Sequence, residues 1–212
     1  MAISQKWIDI QAADGGTFRA YVAVPESGRG PGLLLLQEAF GVNEHMRHLA
    51  NLHAEEGWTV IVPDLFWRME PGISLGYSEA DVARAIGYYQ RFDVDLAVRD
   101  SGAALTALRA LPECEGKAGV LGYCVGGLLA CLVAARCDDV ACAVSYYGVN
   151  IEGHLDEAAR IRCPMILHCA GSDQFVPSAA VTAIKAAFAG REDVKVYDYP
   201  GAEHGFDNPN RA

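Results

Sequence analysis

Apolar positions along this chain follow two rhythms. Short runs rich in β-branched, leucine and aromatic residues alternate with longer stretches at helical spacing. Residues 7–11 and 17–24 read as strands joined through Asp14-Gly15-Gly16, a hairpin-type turn. Residues 32–37 hold four consecutive leucines, Leu33 to Leu36, the pattern of a central strand covered on both faces. Residues 43–56 have helical periodicity and are followed by Gly57 at the C-terminal end. The next strand, 58–62, is stopped by Pro63-Asp64, and Pro71-Gly72 marks a loop. Residues 78–111 predict helix, broken near Phe92-Asp93 and closed by Pro112. Further strands are predicted over 118–123, 141–147, 164–169 and 194–199, with helices over 125–135 and 178–189.

Strands separated by helices imply βαβ units and a mostly parallel sheet, and the early hairpin implies an antiparallel edge. The expected fold class is therefore α/β, with helices flanking a central sheet. At 212 residues the chain suits one sizeable core, so a single domain over 1–212 is expected. Residues 118–135 carry no charge and are long enough to suggest a membrane span, but Gly122, Gly126 and Gly127 interrupt them. A buried strand, tight turn and buried helix account for the same pattern. The start, MAISQKWIDI, has no basic segment followed by an apolar one, so no secretory signal is read. The net charge of −10 argues against nucleic acid and anionic membrane surfaces as partners. Seven cysteines, an odd number with no C-x-x-C pair, argue against a disulfide framework and a zinc site. A reducing cytoplasm is expected, with six of them small buried residues.

Cys124 is the exception. Gly122-Tyr123-Cys124-Val125-Gly126 follows a predicted strand and opens a predicted helix, the spacing of the G-x-S-x-G nucleophile elbow with cysteine in place of serine. The turn is sharp, and glycine on either side supplies room where a Cβ would clash. The helix N-terminus favours a thiolate and leaves the Val125 N–H free to face a developing oxyanion. The bland reading is a tight turn around a small buried residue. In α/β-hydrolases the acid and then the histidine follow the nucleophile along the chain. Asp173 follows the strand over 164–169 within Gly171-Ser172-Asp173, and His204 follows the strand over 194–199. Asp173 alone could be a turn residue and His204 a loop histidine. His168 competes, but it lies inside a strand pattern. Three residues in order, each after a strand, form a stronger signal than any one.

At this point the chain resembles the dienelactone hydrolase family, from about Ile8 to Phe206. The resemblance rests on Gln37-Glu38-Ala39-Phe40-Gly41-Val42-Asn43, Pro63-Asp64-Leu65, Gly122-Tyr123-Cys124-Val125-Gly126-Gly127, Tyr146-Tyr147-Gly148 and Ala202-Glu203-His204-Gly205-Phe206. It implies an α/β-hydrolase fold and a triad of Cys124, Asp173 and His204. It implies that Glu38 lies beside Cys124 and takes the thiol proton once substrate binds. The Ala39 and Val125 N–H groups would form the oxyanion hole, and Tyr123 would line the pocket. The implied reaction is hydrolysis of a small ester or lactone, of the dienelactone-to-maleylacetate type, with no cofactor and no metal. A monomer is expected.

The chain departs from the family in two places. The family's two arginines for a substrate carboxylate fall on Val82, with Arg84 nearby, and on Asn208. Arg211 is a candidate replacement, and Arg68 matches a family position without an assigned role. The family's final helix after the histidine loop is not expected here. Four rival readings remain. A glutamine amidotransferase would carry His-x-Glu, whereas His204 is followed by Gly205-Phe206. A serine esterase would need Gly-x-Ser-x-Gly, which the chain lacks. A divergent carboxylesterase, or a non-catalytic relative that binds a small molecule, would fit the missing arginines.

Overall fold

The computed structural model describes residues 2–211, the side chain of Arg211 excepted. The strands are β1 (Ser4–Gln11), β2 (Thr17–Val24), β3 (Gly30–Leu36), β4 (Thr59–Pro63), β5 (Cys114–Tyr123), β6 (Val140–Tyr146), β7 (Met165–Ala170) and β8 (Val194–Tyr199). They form one sheet in the order β1-β2-β4-β3-β5-β6-β7-β8. β1 pairs antiparallel with β2, and β2 antiparallel with β4; β3 to β8 run parallel. This is the α/β-hydrolase architecture with its antiparallel N-terminal edge.

Helices α1 (Glu44–Glu55), α2 (Glu79–Tyr89), α3 (Val94–Ala110), α4 (Val125–Arg136) and α5 (Ser178–Ala187) connect the strands. Side chains cap three of them. Asn43 accepts from the Met46 N–H, Ser78 from Asp81 and Asp93 from Leu96, which satisfies donors that the first turn leaves open. The break near Phe92-Asp93 is the junction of α2 and α3, with Asp93 as the cap.

The leucines of β3 point alternately to two cores. Leu34 and Leu36 join the larger one beneath α3 and α4, whereas Leu33 and Leu35 join the one beneath α1. The uncharged stretch over 118–135 is the inner half of β5 running into α4, nearly all of it buried. Among the described residues no helix is long and apolar enough to cross a membrane.

Two elements escape the periodicity. β5 begins at Cys114 rather than 118, because Glu115 and Lys117 at its exposed start break the apolar pattern. Residues Ile151–Arg160 form a 3-10 segment kinked at His154.

Candidate active site

Side chains with chemistry gather at the carboxyl ends of β3, β5, β7 and β8, where open α/β sheets place their sites. Cys124 sits between β5 and α4 at φ 56°, ψ −117°, a strained conformation for a residue with a Cβ. Its N–H donates to the Tyr146 carbonyl at 3.0 Å, and its carbonyl accepts from Val149 at 3.3 Å, which ties the turn to β6. The glycines have a steric cause. A Cβ on Gly122 would lie 1.9 Å from the Gly126 carbonyl oxygen, and one on Gly126 would lie 2.4 Å from that of Leu36. The Gly126 N–H also donates to the Gln37 carbonyl at 3.1 Å, docking the turn on the end of β3.

His204 and Asp173 meet although 31 residues separate them. His204 Nδ1 is 2.8 Å from Asp173 Oδ2, and both side chains are essentially inaccessible. Asp173 Oδ1 accepts from the Phe175 and Val176 N–H groups at 2.7 and 3.1 Å, so both carboxylate oxygens are fixed. The two loops are laced by Ser172 N–H to Ala202 O at 2.9 Å and Gly171 N–H to Tyr199 O at 2.9 Å. Nε2 of His204 is buried without a well-formed hydrogen bond among the described residues. Burial pushes the imidazole pKa down, but the Asp173 bond and the Cys124 sulfur outweigh it and raise it to about 9. A histidine held this way by a carboxylate, beside a thiol, is arranged to exchange a proton with sulfur.

The Val125 N–H opens α4, and the Ala39 N–H follows β3. Neither makes a hydrogen bond among the described residues. Glu38 is buried between Gln37, which docks the elbow, and Ala39, which lines the hollow over Cys124. Its Oε2 accepts from Asn208 Nδ2 at 3.0 Å and from the Tyr77 hydroxyl at 3.2 Å. Asn208 also donates to the Tyr77 oxygen at 2.7 Å, and Asn43 does so at 3.2 Å. Burial first, then the Glu38 charge, raises the Tyr77 phenol to about 12.

The hollow beside Cys124 and His204 is walled by Ala39, Phe40, Val82, Ala85, Ile86 and Tyr89, with Val149 and Phe175 opposite. Val82, Ala85, Ile86 and Tyr89 recur at helical spacing on one face of α2. Tyr123 is buried against Tyr146 and Tyr147 on the α1 side of the sheet and does not line this hollow. The strand alternates at that point, so the residue before the elbow turns away from it. His168 bonds Tyr199 at 2.7 Å and stacks on Tyr146, outside the site.

Sequence reasoning singled out Asn208 and Val82 only as places where arginines were missing. The structure makes Asn208 a partner of Glu38 and Val82 a wall. Tyr77 and Phe175 carried no sequence signal. The apolar face of α2 did, as a spacing of i, i+3, i+4 and i+7, but that spacing marks core as readily as a pocket. Among the described residues no group of three His, Cys, Asp or Glu side chains is placed to hold a metal ion. All seven cysteines are free.

Residues 18–212 match the profile of the Dienelactone hydrolase family. A relative from Azospirillum brasilense is 40% identical over 209 residues, covering 94% of this chain and 86% of the relative. The carboxymethylenebutenolidase of Pseudomonas putida is 38% identical over 200 residues, covering 94% of this chain and 84% of that enzyme. Among solved structures, one from Klebsiella pneumoniae superposes with a TM-score of 0.84 at 24% identity, covering 98% of this chain and 89% of its own. That likeness speaks for the fold, and the match of profile and relatives over nearly the whole length speaks for descent: the chain belongs to the dienelactone hydrolase family.

Proposed function

We propose that the protein hydrolyses an ester or lactone bond through a covalent thioester on Cys124, with His204 as proton carrier and Asp173 as its orienter. The observation that carries this reading is the 2.8 Å His204–Asp173 contact, with Nε2 left over beside a cysteine on a strained turn.

The Cys124 thiolate attacks the carbonyl carbon and a C–S bond forms. The Val125 and Ala39 N–H groups donate to the resulting oxyanion. The carbonyl re-forms as the C–O bond to the leaving alkoxide or enolate breaks, and protonated His204 supplies that oxygen's proton. Water then gives a proton to His204 and attacks the thioester. The C–S bond breaks, and the acid leaves with Cys124 restored. Glu38, held in place by Tyr77 and Asn208, takes the thiol proton at the start of the cycle and returns it to the Cys124 sulfur once the acid has left. Opening of a dienelactone ring to maleylacetate is one reaction of this type. A carboxylesterase acting on other small esters is the second reading, favoured by Val82 in the wall.

Hydrolysis of a dienelactone and of an activated aryl ester should be followed with wild type and Cys124→Ala. The variant is expected to fold as wild type and lose at least about 10³-fold in kcat on any ester the wild type cleaves. Full activity in Cys124→Ala would end the proposal.

A further inference from the structure

We propose that the site selects esters whose acyl group is uncharged and apolar, and discriminates against acyl groups ending in a carboxylate. This rests on the reading of Cys124 as the acylated residue.

Apart from the reacting Cys124 and His204, the hollow is walled mainly by hydrocarbon and aromatic carbon, chiefly from Phe40, Val82, Ile86, Tyr89, Val149 and Phe175. A carboxylate brought against such walls gives up its hydration and needs a cation or several donors in return. Among the described side chains no lysine or arginine lines the hollow. The two arginines nearest along α2 are engaged elsewhere. Arg84 interacts with Tyr88 and Glu70, and Arg91 lies over the Tyr88 ring and donates to the Gly87 carbonyl at 3.1 Å. Burial is the main cause that pushes the Tyr89 phenol up, the same desolvation that a substrate carboxylate would meet here. Asn208 is occupied with Glu38 and Tyr77. The exposed edges of Ile86, Tyr89 and Phe175 give an apolar chain a route in, since each is a large side chain at least 36% exposed.

A matched pair of substrates tests this. p-Nitrophenyl hexanoate and p-nitrophenyl hydrogen adipate share a leaving group and a chain, and differ by a terminal methyl against a carboxylate. The expected kcat/KM favours the hexanoate by at least about 100-fold. Val82→Arg, which sets a cation in the wall, should shrink that ratio at least about tenfold by raising turnover of the adipate. A wild-type ratio within about threefold, or one favouring the adipate, overturns the inference while leaving Cys124 catalysis intact. Cleavage of neither ester counts against the catalytic reading, and the hollow is then tested without turnover. Hexanamide and adipamate are compared as protectants of Cys124 against iodoacetamide, read by peptide mass mapping. Protection by hexanamide at a concentration at least about tenfold lower supports the inference. Equal protection, better protection by adipamate, or none from either overturns it.

Discussion

At the residue scale, the Asp173–His204 contact sets a pH dependence. Its group has a folded pKa of about 9 against 6.5 when unperturbed. A histidine pKa raised on folding gives stability that is complete below about pH 6.5 and is lost as pH rises through about 9. Asp173→Asn removes the hydrogen-bonded carboxylate that contributes most to raising it and leaves only the Cys124 sulfur, so stability between those limits should become less dependent on pH for this group. The single-group slope at stake is at most about 1.4 kcal/mol per pH unit. Urea denaturation at pH 6.5, 7.5 and 9 reads this directly. The same variant should lower kcat by about 10³–10⁴-fold, because an amide presents the wrong partner to the imidazole. An unchanged stability profile would show that His204 is not held charged by Asp173.

At the scale of elements, the junction of β5 and α4 leaves no room for a side chain at either flanking glycine. Gly122 packs against the backbone of Gly126, and Gly126 against the end of β3. Backbone cannot rotate aside as a side chain can. Gly122→Ala is therefore expected to cost about 3 kcal/mol and displace Cys124, with a lower urea midpoint and little activity. Gly87, inside α2, offers the contrast: nothing lies within 4 Å of a Cβ built there. Gly87→Ala should raise stability by about 0.5–1 kcal/mol through helix propensity. Equal effects from the two alanines would contradict the steric account of the elbow.

At the scale of the whole molecule, Arg68 joins three distant segments. It pairs with Asp100 of α3 at 2.8 Å and with Asp14 of the β1–β2 turn at 2.7 Å. Trp67 donates to the same Asp100 at 2.8 Å. Asp100 is almost wholly buried, so removing Arg68 strands much of a charge in the interior. Arg68→Ala is expected to destabilise by about 3 kcal/mol and lower Tm by about 6–12 °C, with kcat per folded molecule unchanged. A thermal shift under about 2 °C would refute the structural role.

The local pattern by itself determined most of the fold. Four leucines in a row required a strand with two buried faces, and Asp14-Gly15-Gly16 required a turn between antiparallel strands. The elbow was legible because a strained turn between a strand and a helix tolerates few residue types. The meeting of Asp173 with His204 was legible because the fold dictates which loops converge. What stayed hidden depends on contacts between segments far apart in the chain, which leave no periodic trace. Tyr77 reaches Glu38 only because Leu75 N–H bonds the Phe40 carbonyl at 2.9 Å and Gly41 bridges Ser74. Asn208 meets the same carboxylate across 170 residues. Tyr123 was placed by the alternation of β5 rather than by its nearness to Cys124, and Arg68 acquired its partners from a turn and a helix. Local propensity is short-ranged and written in the sequence, whereas the closure of three loops over one hollow is a property of packing.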